Sequence, residues 1–217
     1  MTLERTSPIL AHFDQNAFEF GLEQGMRTAL RSNQDSIRTN YIADISAFRR
    51  RLFIGGETAV WLAANGVENS LGLLESAELD DGAYLVRLHR DQYLLIDGAQ
   101  AGVSQRLFDY DEGRHDDILI MNYDAAEFAC GGPHVGDLVA ELCPADVASM
   151  PAGSWTSTRI AHCEAALRRL DSPLHYRIVC SNADARFLFG VLGEITLSRD
   201  GVMLGTEDYR TWLKRGD

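Results

Sequence analysis

Two Gly-Gly turns, each joining an apolar strand-like run to a helix-like run, constrain this chain more than any other feature. Leu52-Phe53-Ile54 reads as a short strand stopped by Gly55-Gly56. Glu57 to Asn65 continues as a helix, with Ala59, Leu62 and Ala63 at helical spacing, acidic Glu57 in the first turn and Gly66 after the end. Ala126 to Cys130 is the corresponding strand, stopped by Gly131-Gly132. Pro133 to Leu142 is the corresponding helix, with proline at its start, where no N–H is required. Laid over one another, the segments starting at Gly55 and Gly131 share both glycines, Leu62 with Leu138, and Ala64 with Ala140.

The elements after each turn also repeat. Beyond Asp80-Asp81-Gly82, a turn signal, Ala83 to Leu88 and Gln92 to Ile96 read as a hairpin around His89-Arg90-Asp91, and Ala99 to Asp109 as a helix. In the second half, Trp155 to Cys163 and His175 to Cys180 read as strands and Ala183 to Leu192 as a closing helix. The expected class is therefore α+β: a duplicated β-α-β-β-α unit of split βαβ, ferredoxin-like type, with helices on one face of a mainly antiparallel sheet. The expected organisation is an N-terminal arm, 1–40, a domain over 41–195 made of repeats 41–112 and 116–195, and a C-terminal tail, 196–217. Leu62 and Leu138 are the matched core positions.

Charge narrows the function classes. The 217 residues carry a net charge of −12, and the one tight basic cluster is Arg49-Arg50-Arg51. That balance repels phosphate and argues against a nucleic-acid surface. The longest apolar run, Ala59 to Ala64, falls far short of the roughly 20 residues a spanning helix needs, and the first residues do not read as a secretory signal. Cys130, Cys143, Cys163 and Cys180 lie far apart without a Cys-x-x-Cys pair, so reduced, mostly buried thiols and a cytoplasmic setting are expected.

Recognisable catalytic motifs are absent from the sequence. Gly131-Gly-Pro-His-Val-Gly136 has the wrong spacing for a dinucleotide turn and a proline where N–H groups should face pyrophosphate. No phosphate loop, nucleophile elbow or zinc-protease helix occurs. His162 and Cys163 are neighbours on an expected strand and so point to opposite faces, which is wrong for one metal. His134 near Cys130 reads as packing at the Gly-Gly turn rather than as a device for activating the thiol. The acid-rich run Asp109 to Asp117 reads as an exposed linker. No catalytic, cofactor-binding or metal-binding residue is therefore assigned. The residues offered for a partner interface are Arg49 and Arg51, facing an acidic surface, with Phe13 and Phe18 in the arm and Tyr209 and Trp212 in the tail, aromatic anchors in weakly patterned segments. The alternative is that arm and tail fold back on their own domain.

Several short stretches resemble one family. Ile42-Ala-Asp-Ile-Ser46, Phe53-Ile-Gly-Gly-Glu-Thr-Ala59 and Gly132-Pro-His-Val135 resemble the glycine cleavage T-protein-like folate-binding domain. Leu142-Cys-Pro-Ala-Asp-Val147, Gly153, Thr158-Arg-Ile-Ala-His162 and Tyr176-Arg-Ile-Val179 resemble one branch, the gamma subunit of heterotetrameric sarcosine oxidase and the small subunit of N-methylglutamate dehydrogenase. The resemblance covers about 41–195 and implies a subunit without chemistry of its own. It implies partner subunits that carry FAD, FMN, NAD and tetrahydrofolate, oxidatively demethylate an N-methyl amino acid and pass the one-carbon unit to folate. The family's functional aspartate is missing: the matching stretch, Asp97 to Arg106, has Ser104 or a neighbour near its place. The alternatives are a free-standing folate-binding or aminomethyltransferase-like protein, or a structural α+β domain without a folate link.

Overall fold

The computed structural model describes residues 5–33, 40–67, 70–79, 82–98, 103–115, 117–171 and 173–215. The strands, in chain order, are β1 (Arg5–Thr6), β2 (Phe18–Glu23), β3 (Met26–Ser32), β4 (Tyr41–Asp44), β5 (Arg50–Ile54), β6 (Ser76–Glu78), β7 (Tyr84–His89), β8 (Gln92–Ile96), β9 (Gly113–His115), β10 (Ile118–Asn122), β11 (Ala126–Gly131), β12 (Trp155–Ile160), β13 (Cys163–Asp171), β14 (Leu174–Cys180) and β15 (Val202–Leu204). The α-helices are α1 (Thr58–Ala64), α2 (Val103–Phe108), α3 (Val135–Leu142), α4 (Asn182–Ser198) and α5 (Thr206–Arg215). No helix among the described residues is long and apolar enough to cross a membrane.

The duplication is visible in two six-stranded sheets of matching order, β6-β7-β8-β5-β10-β9 and β12-β13-β14-β11-β4-β15. β5 corresponds to β11, α1 to α3 and α2 to α4, and the strand leading into each repeat is β4 or β10. These leading strands are exchanged. β4 precedes β5 in sequence but pairs with β11, whereas β10 precedes β11 but pairs with β5. The compact units consequently ignore the repeat boundaries expected from the sequence. One contains 1–47, 125–152 and 156–217, and the other 48–124 and 153–155.

The two matched glycines make the exchange possible. A side chain on Gly55 would run into the Asp117 carbonyl that leads into β10. A side chain on Gly131 would run into the ring of Tyr41, its register partner on β4. Equivalent glycines thus admit equivalent invading strands, a reason for the Gly-Gly turn that goes beyond stopping a strand.

Each unit has its own core. In the smaller unit, Leu62 of α1 and Leu107 and Phe108 of α2 bury with Phe53, Leu85, Tyr93, Leu95, Ile118 and Ile120. In the larger unit, Val135, Leu138 and Val139 of α3 and Leu188, Phe189 and Leu192 of α4 bury with Ile42, Phe128, Cys130, Leu167 and Ile178. Ser181 caps α4 by accepting the Asp184 N–H. All four cysteines are free thiols, and Cys130, Cys143 and Cys180 are buried.

Three regions differ from expectation. The single strand expected over Trp155 to Cys163 is two strands, broken where Ala161 and His162 adopt φ of 47° and 69°. His162 therefore sits in a two-residue turn and not on a strand. Residues 5–33 of the expected arm carry a β2–β3 hairpin joined by β1, a three-stranded sheet. The tail contains β15, which extends the larger unit's sheet beside β4, and α5. The part of the expected second helix over 99–102 lies outside the described residues.

Candidate functional site

Among the described residues of 97–106, where the resemblance places a carboxylate, Asp97 and Gln105 are engaged within their own unit. Asp97 lies just after β8, its side chain only 8% exposed, and accepts a hydrogen bond from Arg49 Nε at 3.2 Å. Its N–H donates to the Arg49 carbonyl at 2.9 Å, so the two residues are joined through backbone and side chain. Arg49 Nη2 donates to Gln105 Oε1 at 2.6 Å, and Gln105 Nε2 donates to Asp109 Oδ1 at 2.7 Å. The guanidinium also lies over the Phe108 ring at 4.4 Å. Arg49 is thus engaged by a carboxylate, an amide and a ring, a geometry that suits the planar fork. Ser104 is buried. Arg51 donates to the Phe108 carbonyl at 2.9 Å, so both arginines offered for a partner are bonded inside their own unit.

The second cluster lies in the larger unit and gives the Ile42 to Ser46 motif a role. Asp44 is fully buried and accepts from Ser7 Oγ at 2.5 Å, Thr28 Oγ1 at 3.1 Å and the Ser46 N–H at 3.0 Å. Thr206, the first residue of α5, donates to the Asp44 carbonyl at 3.2 Å. One aspartate and its backbone therefore knot the arm, β4 and the tail together. Burial pushes the Asp44 carboxyl up, against the lowering effect of those hydrogen bonds. Next to it on β11, Glu127 pairs with Arg177 at 2.7 Å, with side-chain exposures of 0% and 5%. Sequence reasoning misses this cluster. Its signal is a charged residue inside an apolar strand, as in Ala126-Glu-Phe-Ala and Tyr176-Arg-Ile-Val, a pattern expected of buried pairs.

The arm and tail aromatics take the fold-back alternative. Phe13 is 4% exposed and packs on Phe18 and Phe189, at centroid distances of 4.8 and 5.6 Å. Tyr209 is buried, and half-buried Trp212 stands edge-on to Tyr41 at 4.5 Å. Tyr41, Gly131 and His175 form one row across the sheet, and α5 lies on it through Tyr209 and Trp212.

His175 is the electrostatic centre of that contact. Its Nδ1 donates to the Pro173 carbonyl at 2.8 Å, so Nε2 is the acceptor for Tyr209 Oη at 3.2 Å. Burial lowers its pKa to about 4, assisted by Arg177 and Arg168 and opposed by the Pro173 bond. Because this folded value lies below the unfolded one, the unfolded chain binds the extra proton between pH 6.5 and 4, and stability falls as pH drops through that window. Asp44, raised in the fold from 3.8, acts in the opposite sense, adding stability as pH falls through its folded value. The expected loss attributable to His175 is about 3 kcal/mol by pH 4. Thermal melts across this range check it: His175→Gln, which keeps an acceptor for Tyr209, should show a shallower acid slope, and an unchanged slope would be the contrary result.

A third feature unites the two branch-like segments. Leu142, Cys143 and Pro144, at the end of α3, face Arg159, Ala161 and His162, at the β12–β13 turn, across a groove of about 400 Å³. The left-handed Ala161-His162 turn is bound to α3 through the Ala161 N–H and the Leu142 carbonyl, at 3.0 Å. Non-glycine residues held at positive φ cost about 1–3 kcal/mol each and persist where the surroundings impose them. Cys130 is pushed up to about 12 by burial, so it packs as a neutral thiol. Among the described residues, no group of three His, Cys, Asp or Glu side chains is placed to hold a metal.

Comparison with solved structures gives the fold its relatives. Glycine cleavage system aminomethyltransferase T from Bartonella henselae superposes with a TM-score of 0.71 at 17% identity, over 97% of this chain. The match spans 62% of that protein, so this chain is short of two thirds of its relative's length. The heterotetrameric sarcosine oxidase from Corynebacterium sp. U-96, solved in complex with pyrrole 2-carboxylate, contains a chain that matches with a TM-score of 0.59 at 15% identity. That match covers 77% of this chain and 88% of the other, so the matched subunit is the shorter of the two. No family model and no curated protein sequence matches. The fold is that of the glycine cleavage T-protein.

Proposed function

We propose that this chain is a gamma-type accessory subunit of a multi-subunit flavoenzyme that oxidatively demethylates sarcosine or a related N-methyl amino acid. In this reading the one-carbon unit passes to tetrahydrofolate, and FAD, FMN, NAD and tetrahydrofolate are held by larger partner subunits. The observation that carries it is the structural match to a chain of a heterotetrameric sarcosine oxidase, taken with the stretches Leu142 to Val147 and Thr158 to His162 that resemble the gamma branch. The site supports the same reading. Near where the resemblance expects a functional carboxylate, Ser104 is buried, and Asp97, at the start of the same stretch, is engaged by Arg49. A buried hydroxyl cannot stabilise a cationic folate intermediate as a carboxylate can.

The test is enzymatic. The tagged chain is recovered at low salt from cells that make it, and the eluate is assayed for dye reduction with sarcosine and with N-methylglutamate. Turnover by the eluate and none by the refolded chain alone supports the proposal; turnover by the isolated chain contradicts it.

A further inference from the structure

Strand β10 alternates over its first four residues. Ile118 and Ile120 are buried in the core of the smaller unit, while Leu119 and Met121 are 40% and 41% exposed. Tyr123, at the next step of the same spacing, is 38% exposed and still donates its N–H to the Arg50 carbonyl, at 3.0 Å. Register places Leu119 beside Ile54 and Met121 beside Leu52, both half-buried, so the apolar stripe is two strands wide. Large side chains presented side by side on a sheet face mark a surface meant to be covered.

The rim says what covers it. Exposed Asp117 and Asp124 bound the stripe at its two ends, and Asp111 and Glu112 precede β9; Arg114, the register partner of Leu119, is the one lysine or arginine between 110 and 124. A second copy of this chain is a poor occupant, because a two-fold contact would set the same acids against one another in a protein of charge −12. We propose that the outer face of β10, with Leu119, Met121 and Tyr123, docks a partner protein that presents apolar side chains ringed by lysine or arginine. The inference rests on the accessory-subunit reading above and gives it a surface.

The experiment uses the full-length tagged chain expressed in its native cells, with flavin absorbance of the eluate as the readout. Leu119→Lys/Met121→Lys and Asp117→Lys/Asp124→Lys should each lower the co-eluting flavin by about tenfold, because anchor removal and charge reversal act on the same contact. Phe187→Lys, on an exposed face of α4, is the control and should retain it. Both double variants should melt within about two degrees of wild type, as exposed substitutions do. Full flavin recovery by both double variants overturns this inference and leaves the accessory reading standing. No flavoprotein with the wild-type chain overturns both. A doubled mass of the chain that Leu119→Lys/Met121→Lys abolishes shows a self-contact and also overturns it.

Discussion

Leu138→Asp and Leu62→Asp are each expected to unfold their unit at ordinary temperature. The two leucines are the matched positions of α3 and α1, 1% and 0% exposed, and each lies within the apolar core of its unit. An aspartate at either place either ionises without a partner or takes up a proton, and also leaves the volume of the leucine unfilled. The combined cost is several kcal/mol, comparable with the whole stability of a domain. Circular dichroism melts of the purified variants check it. A melting point within about two degrees of wild type for either one would show that the repeat register is wrong.

The strand exchange carries the second large effect. A fragment ending at residue 112 keeps β5 but lacks β10, and the remaining fragment keeps β11 but lacks β4. Each would expose an unpaired inner strand and the core residues against which the missing strand packs, through Ile118 and Ile120 in one case and Ile42 in the other. Neither fragment alone should show a cooperative melt, whereas co-expression should restore a folded, co-purifying pair. A cooperative transition from either fragment alone would contradict the exchanged topology.

The repeat is legible because its punctuation is: Gly55-Gly56 and Gly131-Gly132, with Leu62 and Leu138 in step behind them, mark the strand-to-helix turns and both core positions. The exchange is not legible, because the pattern of a strand shows which face is buried but not which neighbour pairs with it. β10 escapes notice because Ile118 to Met121 adjoins an acid-rich run that reads as a linker. β13 escapes because Arg168, 2% exposed, and Arg169 interrupt its apolar sequence. The arm and tail look unplaced for a related reason. Phe13, Tyr209 and Trp212 find their partners, Phe189, His175 and Tyr41, at long sequence separations that local periodicity does not encode. At the candidate site, the sequence offers Ser104 or a neighbour near the place the resemblance gives a carboxylate, but the Arg49 clamp on Asp97 depends on tertiary contacts. In Arg49-Arg50-Arg51, three like charges in a row read as a solvated or partner-facing segment. On strand β5 Arg50 is instead buried, 4% exposed, and Arg49 finds both a carboxylate and a ring.

A gamma-type accessory subunit must assemble with flavin-bearing chains and contribute no cofactor of its own. Native mass spectrometry of the complex recovered through the tagged chain puts both requirements to one measurement. The expected spectrum shows a hetero-oligomer that, on gentle dissociation, releases this chain at its bare sequence mass and leaves the flavin masses on larger subunits. A spectrum of the chain alone, or of the chain carrying a flavin or folate mass, would contradict the accessory role.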